Sequence, residues 1–412
     1  MDLEQELKET YAARLGALDV SGGDVVTARR TGARMRMRRR LAVAAAAVAV
    51  VAVAVGGSLV GTGRVTIGPS GDTGHWRELP AAPLSPRADA LGAWTGHEVI
   101  VLGGVANECP PNADNCAGPT DAPMRDGAAY DPATNTWRRI ADAPVAVGPG
   151  DRLVAAGGSV ILRHWREKGS DWFEYDPRVN AWTSIAPGMD VGDLPSAYGS
   201  KVYAIAGKHV LVFEVDQGRW HSLPADPIRP RLTQRRVTAT PYGPVITGYD
   251  SSQPQDGTVA NPVIADLYDG SSWRRLPDTG ILGNDWSWAG DRMVDFDSFA
   301  HQGMDPRPGA TLGGLLDPAT GRSLPLPDSA VETPTDPWSP VAVGPDAWAA
   351  CWGLVYDVRS GRVWTLPRPD GALDTGTTAA WVGDSLVVFG GADLGAEESL
   401  ARTTNKAWLW TP

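Results

Sequence analysis

The 412-residue chain predicts an all-β domain in which seven four-stranded units close into a ring. Three observations indicate this. One hairpin phrase recurs along the chain, a second hairpin phrase alternates with it, and a single strand without a partner remains at each end. Self-similarity at a period of roughly 50 residues is typical of radial repeat folds, in which each repeat forms one blade. The predicted fold class is therefore a β-propeller.

The first phrase is a hairpin whose turn begins with Asp and whose second strand opens with Trp. It reads YDPATNTW from Tyr130 to Trp137 and YDPRVNAW from Tyr175 to Trp182. The later copies are LYDGSSW with Tyr268 and Trp273, LLDPATGRSL ending at Leu324, and VYDVRSGRVW with Tyr356 and Trp364. A degenerate copy, VFEVDQGRW, ends at Trp220. An Asp carboxylate in this position can accept backbone N–H bonds, while Pro, Gly, Asn or Thr reverse the chain.

The second phrase is a hairpin with Gly in its turn, and it precedes each copy of the first. Its seven copies are AWTGHEVIVLGG, VAAGGSVILRH, SAYGSKVYAIAG, TPYGPVITG, SWAGDRMVDFD, VAVGPDAWAACWG and AAWVGDSLVVFGG. Two hairpins make four strands, which is one blade. Residues 73–412 then give about 49 residues per blade, so we predict seven blades, with six as the alternative.

The two ends of the repeat region predict how the ring closes. Trp76, in HWRELP, has no hairpin before it, and KAWLW (406–410) has no partner after it. Pairing these two strands would complete the last blade with the N-terminal strand outermost. Such closure removes the unpaired edges of an open sheet.

These phrases resemble the kelch-repeat family, including the propeller of galactose oxidase. Kelch blades show a glycine pair after the second strand, then a Tyr, then a Trp about six residues later. Gly103-Gly104 and Gly390-Gly391 match the pair, and the Tyr and Trp residues of the first phrase follow. The resemblance covers roughly the last 340 residues. The middle blades depart from it, because several lack the second Gly and one has Leu324 in place of Trp.

The amino end predicts a membrane anchor. Residues 41–60 are uncharged, and 20 helical residues span about 30 Å, the thickness of the hydrocarbon core. Seven arginines lie between 29 and 40, so the positive-inside rule places the propeller on the extracytoplasmic side. A cleaved signal peptide is the alternative, although 40 preceding residues are long for one. The predicted organisation is a cytoplasmic segment 1–40, a transmembrane helix 41–60, a linker 61–72 and the propeller 73–412.

Charge is divided between these parts. Residues 1–40 carry 9 basic and 6 acidic side chains, net +3, whereas the remainder carries 28 and 42, net −14. An acidic domain repels nucleic acid, so no nucleic-acid partner is predicted. An arginine cluster beside an apolar span orients the helix and binds anionic lipid, with DNA contact as the alternative.

Residues 1–40 also carry an apolar stripe at helical spacing, formed by Leu3, Leu7, Tyr11, Leu15 and Leu18. It indicates an amphipathic helix near the membrane surface or a helix that binds a regulatory partner. This arrangement resembles the amino ends of many actinobacterial membrane proteins, including anti-sigma factors.

The cysteines predict one local disulfide. Cys109 and Cys116 lie in the Pro- and Asn-rich stretch ECPPNADNCAG, and in an oxidising exterior we expect such a pair to form a disulfide. Neither His nor a second Cys pair lies nearby in the sequence, which makes zinc a poor fit. Cys351, within AWAACWG, is predicted to be a buried thiol.

No catalytic residue, metal ligand or cofactor is predicted. The six histidines are scattered without HxH or HExxH spacing, and no nucleophile elbow, P-loop or dinucleotide fingerprint is present. The resemblance to galactose oxidase would imply copper held by two Tyr and two His, with a Cys crosslinked to Tyr, and no such set can be attributed. Asp291, Asp295 and Asp297 suggest either calcium or simple alternation along a strand.

Loop lengths indicate a working surface. Connections between the second and third strands of the blades read as long and polar, at 105–127, 163–172, 250–264, 299–311 and 392–404, and share one face.

The favoured function is a membrane-tethered extracytoplasmic module that binds a protein or cell-wall glycan on that face. The alternatives are an extracytoplasmic enzyme of kelch type and a transmembrane regulator that signals through residues 1–40. Trp residues outside the phrases indicate blade packing or, where exposed, sugar stacking.

Overall fold

The computed structural model describes most of the propeller region. The described residues are 74–106, 122–187, 191, 194–253, 259–296, 305–306, 310–311, 313–326, 338, 340–351, 353–393 and 402–412. The predicted segments 1–40, 41–60 and 61–72 lie outside them, as do Cys109 and Cys116. Within the described part of the chain, no helix has the length and apolar character needed to cross a bilayer.

Seven four-stranded antiparallel sheets make up the domain, so the prediction of seven blades is confirmed and the six-bladed alternative is wrong. Blade 1 comprises β2 (Leu91–Trp94), β3 (Val99–Leu102), β4 (Gly127–Asp131) and β5 (Thr136–Ile140). Blade 2 comprises β6 (Arg152–Ala156), β7 (Ser159–Trp165), β8 (Ser170–Asp176) and β9 (Ala181–Ser184). Blade 3 comprises β10 (Ser196–Tyr198), β11 (Lys201–Ala206), β12 (His209–Glu214) and β13 (Arg219–Ser222).

Blades 4 to 7 follow the same order except that the last one borrows the first strand of the chain. Blade 4 comprises β14 (Leu232–Thr240), β15 (Gly243–Asp250), β17 (Ile264–Tyr268) and β18 (Trp273–Arg275), and blade 5 comprises β19 (Ser287–Ala289), β20 (Arg292–Asp295), β22 (Gly314–Leu316) and β23 (Ser323–Pro325). Blade 6 comprises β24 (Ala342–Val343), β25 (Trp348–Cys351), β26 (Leu354–Asp357) and β27 (Val363–Thr365). Blade 7 comprises β28 (Thr378–Val382), β29 (Ser385–Phe389), β30 (Ala407–Thr411) and β1 (His75–Glu78). Two short strands in loops, β16 (Val259–Ala260) and β21 (Asp305–Pro306), pair in parallel.

The ring is closed. The innermost strands β2, β6, β10, β14, β19, β24 and β28 each contact the next, and β28 returns to contact β2. Blade 7 is completed by β1, which pairs antiparallel with β30 and sets Trp76 opposite Trp410. The predicted closure, with the N-terminal strand outermost, is confirmed. Because the first and last strands share one sheet, the ring closes by a backbone ladder.

Where the first phrase contains Asp, its carboxylate organises the outer turn. In blade 1, Asp131 accepts hydrogen bonds from the backbone N–H groups of Ala133 and Thr134 and from the Thr134 hydroxyl. The corresponding Asp269 of blade 4 accepts from Ser271 and Ser272, and these bonds, led by the Ser272 N–H, lower its pKa to about 2. The carboxylate therefore accepts hydrogen bonds from N–H groups of the turn that have no partner in a neighbouring strand.

The Trp of the first phrase joins neighbouring blades through its indole N–H. Four of these residues donate to a backbone carbonyl that follows the outermost strand of the preceding blade. The pairs are Trp182 to Ala141 (2.9 Å), Trp220 to Ile185 (2.5 Å), Trp273 to Pro224 (2.8 Å) and Trp76 to Pro367 (2.6 Å). Each indole thus packs its ring in its own blade and bonds the one before it.

Blade 5 lacks this bond because Leu324 replaces the Trp. Leu324 packs among the buried side chains of blades 5 and 6 instead. At the seam between blades 4 and 5, the Arg274 guanidinium of blade 4 donates to the carbonyls of Pro318 and Ala319 of blade 5, both at 3.0 Å. An aliphatic residue is tolerated here because a neighbouring cation supplies the donor.

We predict that Trp182→Phe lowers the free energy of unfolding by more than Trp137→Phe does. Both changes keep an aromatic ring, but only Trp182 loses a hydrogen bond, since the indole nitrogen of Trp137 has no acceptor among the described residues. The difference should be about 1 kcal/mol, the net value of one such bond. Urea unfolding of the two variants measures it. Equal losses would show that the indole bond contributes nothing to the seam.

Candidate functional site

The face predicted from loop lengths is described only in part. The segment 163–172 was predicted to be a long loop, and this is wrong. Strands β7 and β8 continue through it, with Arg163 paired to Trp172 and Trp165 paired to Ser170. An antiparallel ladder can include these polar residues because one face of an antiparallel sheet can be exposed to water. Of the other four segments, 105–127, 299–311 and 392–404 lie largely outside the described residues, and 250–264 lacks residues 254–258, so a ligand site on that face stays a prediction.

A cavity of about 430 Å³ lies on the propeller axis. Its described lining comes from six of the seven innermost strands, along most of their length, and reaches the tight turns at Gly199 and Pro345. The cavity therefore extends to the end of the axis that carries the tight turns. Among the described residues that line it, none is Asp, Glu, Lys, Arg or His. We call it the axial cavity.

Backbone groups face this cavity because of the sheet topology. Each innermost strand forms ladder hydrogen bonds with the second strand of its blade only, so its other edge is turned toward the axis. Such an edge presents N–H donors and C=O acceptors outside any ladder. Some of these edges are bonded across blades, as where the Thr378 hydroxyl donates to the carbonyl of Ala90 (2.6 Å). The axial cavity therefore combines apolar walls with backbone donors and acceptors.

Three aromatic side chains of blades 3, 4 and 5 form a cluster at the tight-turn end. The Trp288 ring lies 6.3 Å from the ring of Tyr198 and 6.3 Å from that of Tyr242, centroid to centroid, with interplanar angles of 88° and 78°. Tyr198 is 42% exposed and Tyr242 is 47% exposed, whereas Tyr130 and Tyr175 are fully buried. Two tyrosine rings are thus left open to solvent beside a tryptophan that lines the axial cavity.

A second cavity, of about 540 Å³, lies between blades 3 and 4 on the same side. It shares Tyr198 and Gly199 with the axial cavity, and Tyr242 also lines it. We call it the blade 3–4 groove. Unlike the axial cavity it contains ionisable groups, among them Lys201 and His221. The two cavities meet at Tyr198, so they form one path from the axis to the outer part of the ring.

The residues predicted as the repeat core lie mainly at the blade seams. Ring centroids in the Tyr–Trp pairs are 5.1–5.2 Å apart for Tyr130–Trp137, Tyr175–Trp182 and Tyr268–Trp273. Tyr356 and Trp364 are buried in blade 6, and Trp220 and Trp76 bond across seams as described above. Of this set, Tyr268 also lines the blade 3–4 groove.

The sequence analysis missed Tyr198 and Tyr242. A signal was present, because in these two copies of the second phrase an aromatic residue directly precedes the turn Gly, as in SAYGS and TPYGP. The other five copies place Thr, Ala or Val at this position. Trp94, Trp288 and Trp381, which stand two residues before that Gly, all line the axial cavity.

The remaining chemistry-bearing residues do not come together. Within the ranges that the structure describes, no group of three or more His, Cys, Asp or Glu side chains is arranged to hold a metal ion. Asp291 is exposed in a turn and Asp295 is buried at the end of β20, while Asp297 lies outside the described residues. Cys351 is 5% exposed within β25. Among the remaining tryptophans, Trp172, Trp286, Trp338, Trp408 and Trp410 are buried and Trp165 is 54% exposed.

Compared with models of known protein families, the sequence matches none. The assignment as a seven-bladed propeller therefore depends on the sheet topology and the repeat geometry above.

One buried ion pair stands apart from both cavities. Asp266 on β17 is fully buried and receives two hydrogen bonds from the Arg275 guanidinium on β18, one of them 3.0 Å from Nη2 to Oδ2. Burial raises the pKa of Asp266 to about 6, and the carboxyl of Asp226 adds to the rise, while Arg275 opposes it. The protonated form of Asp266 is therefore favoured by folding.

This pair predicts a specific pH dependence of stability. With a folded pKa of about 6 and an ordinary value of 3.8, the stabilisation is present below pH 3.8 and is lost as the pH rises to about 6. Asp266→Asn removes the titration, so the unfolding free energy of the wild type should fall relative to that of the variant between pH 4 and 6. Urea unfolding at each pH measures this difference. Asp269→Asn is the control, because the low pKa of Asp269 predicts no slope over the same range. Parallel curves for wild type and Asp266→Asn would contradict the prediction.

Proposed function

We propose that this protein is a membrane-tethered, extracytoplasmic propeller of kelch type that binds a protein or a cell-wall glycan at the tight-turn end of its axis. The observation that carries the proposal is the axial cavity with its aromatic rim and its backbone groups. Concave sites with apolar walls and a few polar groups are the usual form of binding sites. Because a propeller ring is closed by its own blades, such a site is preformed.

The kelch assignment is supported by the glycine pairs. Gly103 and Gly104 have φ of 67° and 95°, and Gly390 and Gly391 have φ of 72° and 122°. A Cβ on Gly103 would lie 2.4 Å from the carbonyl oxygen of Val147, and one on Gly390 would lie 2.6 Å from that of Arg87. Only glycine fits these positions, because a side chain would meet both the strained φ and the neighbouring backbone. The cross-strand Tyr–Trp pairs of blades 1, 2 and 4 support the same assignment.

The tether and the extracytoplasmic location are supported by the sequence alone. Residues 41–60 are uncharged and long enough to span a bilayer, and seven arginines precede them. The acidic charge of the remaining chain accords with a domain held away from anionic lipid and nucleic acid.

We predict that external protease digests the propeller of intact spheroplasts and spares an epitope tag fused before Met1. The positive-inside rule supplies the reason, and replacing the seven arginines with glutamate should lessen or invert this orientation. Immunoblotting of the tag and of the propeller measures both, with detergent-permeabilised cells as the control in which both are cut. Protection of the propeller, or a mature soluble protein beginning near Gly56, would contradict the tether as proposed.

We also predict that filling the axial cavity abolishes ligand capture. Ala155 on β6 lines the cavity, so Ala155→Phe should reduce co-sedimentation of the full-length protein with insoluble peptidoglycan by at least about tenfold, because the added ring occupies the site. Lys208→Phe is the matched control, since Lys208 is exposed in the β11–β12 turn away from the cavity. Thermal melting verifies that both variants are folded. Capture of Ala155→Phe at the wild-type level would exclude the axial cavity as the site.

A further inference from the structure

We infer that the tight-turn end of the axis binds a neutral pyranose oligosaccharide, which enters the axial cavity and continues past Tyr198 into the blade 3–4 groove. This inference rests on the proposed binding function and assigns its ligand class and its residues. It concerns the face opposite to the loops 105–127, 250–264, 299–311 and 392–404.

The first support is the exposure of Tyr198 and Tyr242. Large aromatic rings are usually buried, and in this chain the seam tyrosines Tyr130, Tyr175 and Tyr356 are. Tyr198 and Tyr242 instead present 42% and 47% of their surface beside Trp288, with both rings nearly perpendicular to the indole. The electron-rich face of an aromatic ring attracts the weakly positive C–H groups that line one face of a pyranose. Two such rings around a third offer stacking positions for successive sugar units.

The second support is the backbone of the innermost strands. A sugar presents many hydroxyl groups, each of which needs a donor or acceptor once water is excluded. The axial edges of β2, β6, β10, β19, β24 and β28 border the cavity with backbone groups outside the blade ladders. These groups can bond hydroxyls without any charged side chain.

The third support is the charge of the lining. The described residues of the axial cavity wall include no Asp, Glu, Lys, Arg or His, so a charged ligand would lose its hydration there without gaining a counter-charge from them. This disfavours phosphorylated or highly anionic ligands at the axis. Lys201 and His221 occur only further out, in the blade 3–4 groove. A neutral ring therefore fits the axial end of the path.

The fourth support is the length of the path. Cavities of about 430 and 540 Å³ share Tyr198 and Gly199, so they form one continuous path. A single sugar ring would fill only part of this path, whereas two or three linked rings would reach from the axial cavity past Tyr198 into the blade 3–4 groove. The geometry therefore favours an oligosaccharide over a monosaccharide.

The test is calorimetric titration of the full-length protein with chitotriose, and in parallel with cellotriose and maltotriose. The protein is held in a detergent without a sugar headgroup, because maltoside or glucoside detergents would compete for the site. We expect saturable binding of at least one trisaccharide, weakened at least about tenfold by Tyr198→Ala and by Tyr242→Ala. Tyr242→Phe should bind nearly as well as wild type, because the stacking ring is kept.

Trp165→Ala is the control, because Trp165 is a similarly exposed aromatic residue that lines neither cavity. It should leave the affinity unchanged, and thermal melting of every variant confirms that the propeller is folded. No binding of any of the three trisaccharides overturns the inference, as does binding that the two Tyr→Ala changes leave intact.

Failure of this inference is distinguishable from failure of the proposed function. If peptidoglycan is captured in an Ala155-dependent way while none of the trisaccharides binds, the proposed function stands and the ligand is a peptide component of the wall. If capture is absent as well, both fall. Binding of a trisaccharide that Tyr198→Ala weakens supports both.

Discussion

The pairing of β1 with β30 is the constraint on which the rest of the structure depends. It joins residues more than 300 positions apart and turns a row of seven blades into a ring, with Trp76 opposite Trp410. An open row would leave an unpaired edge and would enclose nothing. Only in the closed ring do β28 and β2 become neighbours and surround the axial cavity with the other innermost strands.

The blade seams distribute this constraint around the ring. Each seam is packed by apolar side chains from two neighbouring blades and, at four seams, is bonded by an indole N–H to a carbonyl of the blade before it. The repeat tolerates replacement of the Trp as long as apolar packing and a hydrogen bond between neighbouring blades are kept. Leu324 packs at the seam between blades 5 and 6, whereas the Arg274 guanidinium bonds the seam between blades 4 and 5. Where the Trp is replaced, packing and hydrogen bonding are thus supplied by different residues.

Closing the ring also creates the candidate site. The innermost strands cannot pair across the axis, because seven of them surround it at too great a distance, so their edges and the side chains at their ends face a common space. What that space can bind depends on the small differences among the seven copies. Tyr198, Tyr242 and Trp288 occur on three consecutive blades, and this breaks the symmetry of the ring on one side.

The sequence by itself determined the repeat, the blade count, the all-β class and the closure, because each depends on local hairpin signals and on strands left without a partner in the count. It also determined the Asp turns of the first phrase, whose bonds span only two or three residues. Tertiary structure alone decided which side chains meet. Tyr198, Tyr242 and Trp288 are far apart in the chain and are neighbours only because consecutive blades bring equivalent turns together. Likewise, β7 extends into residues that were predicted to be a loop, because it pairs with β8 there. The local sequence pattern did not show this pairing.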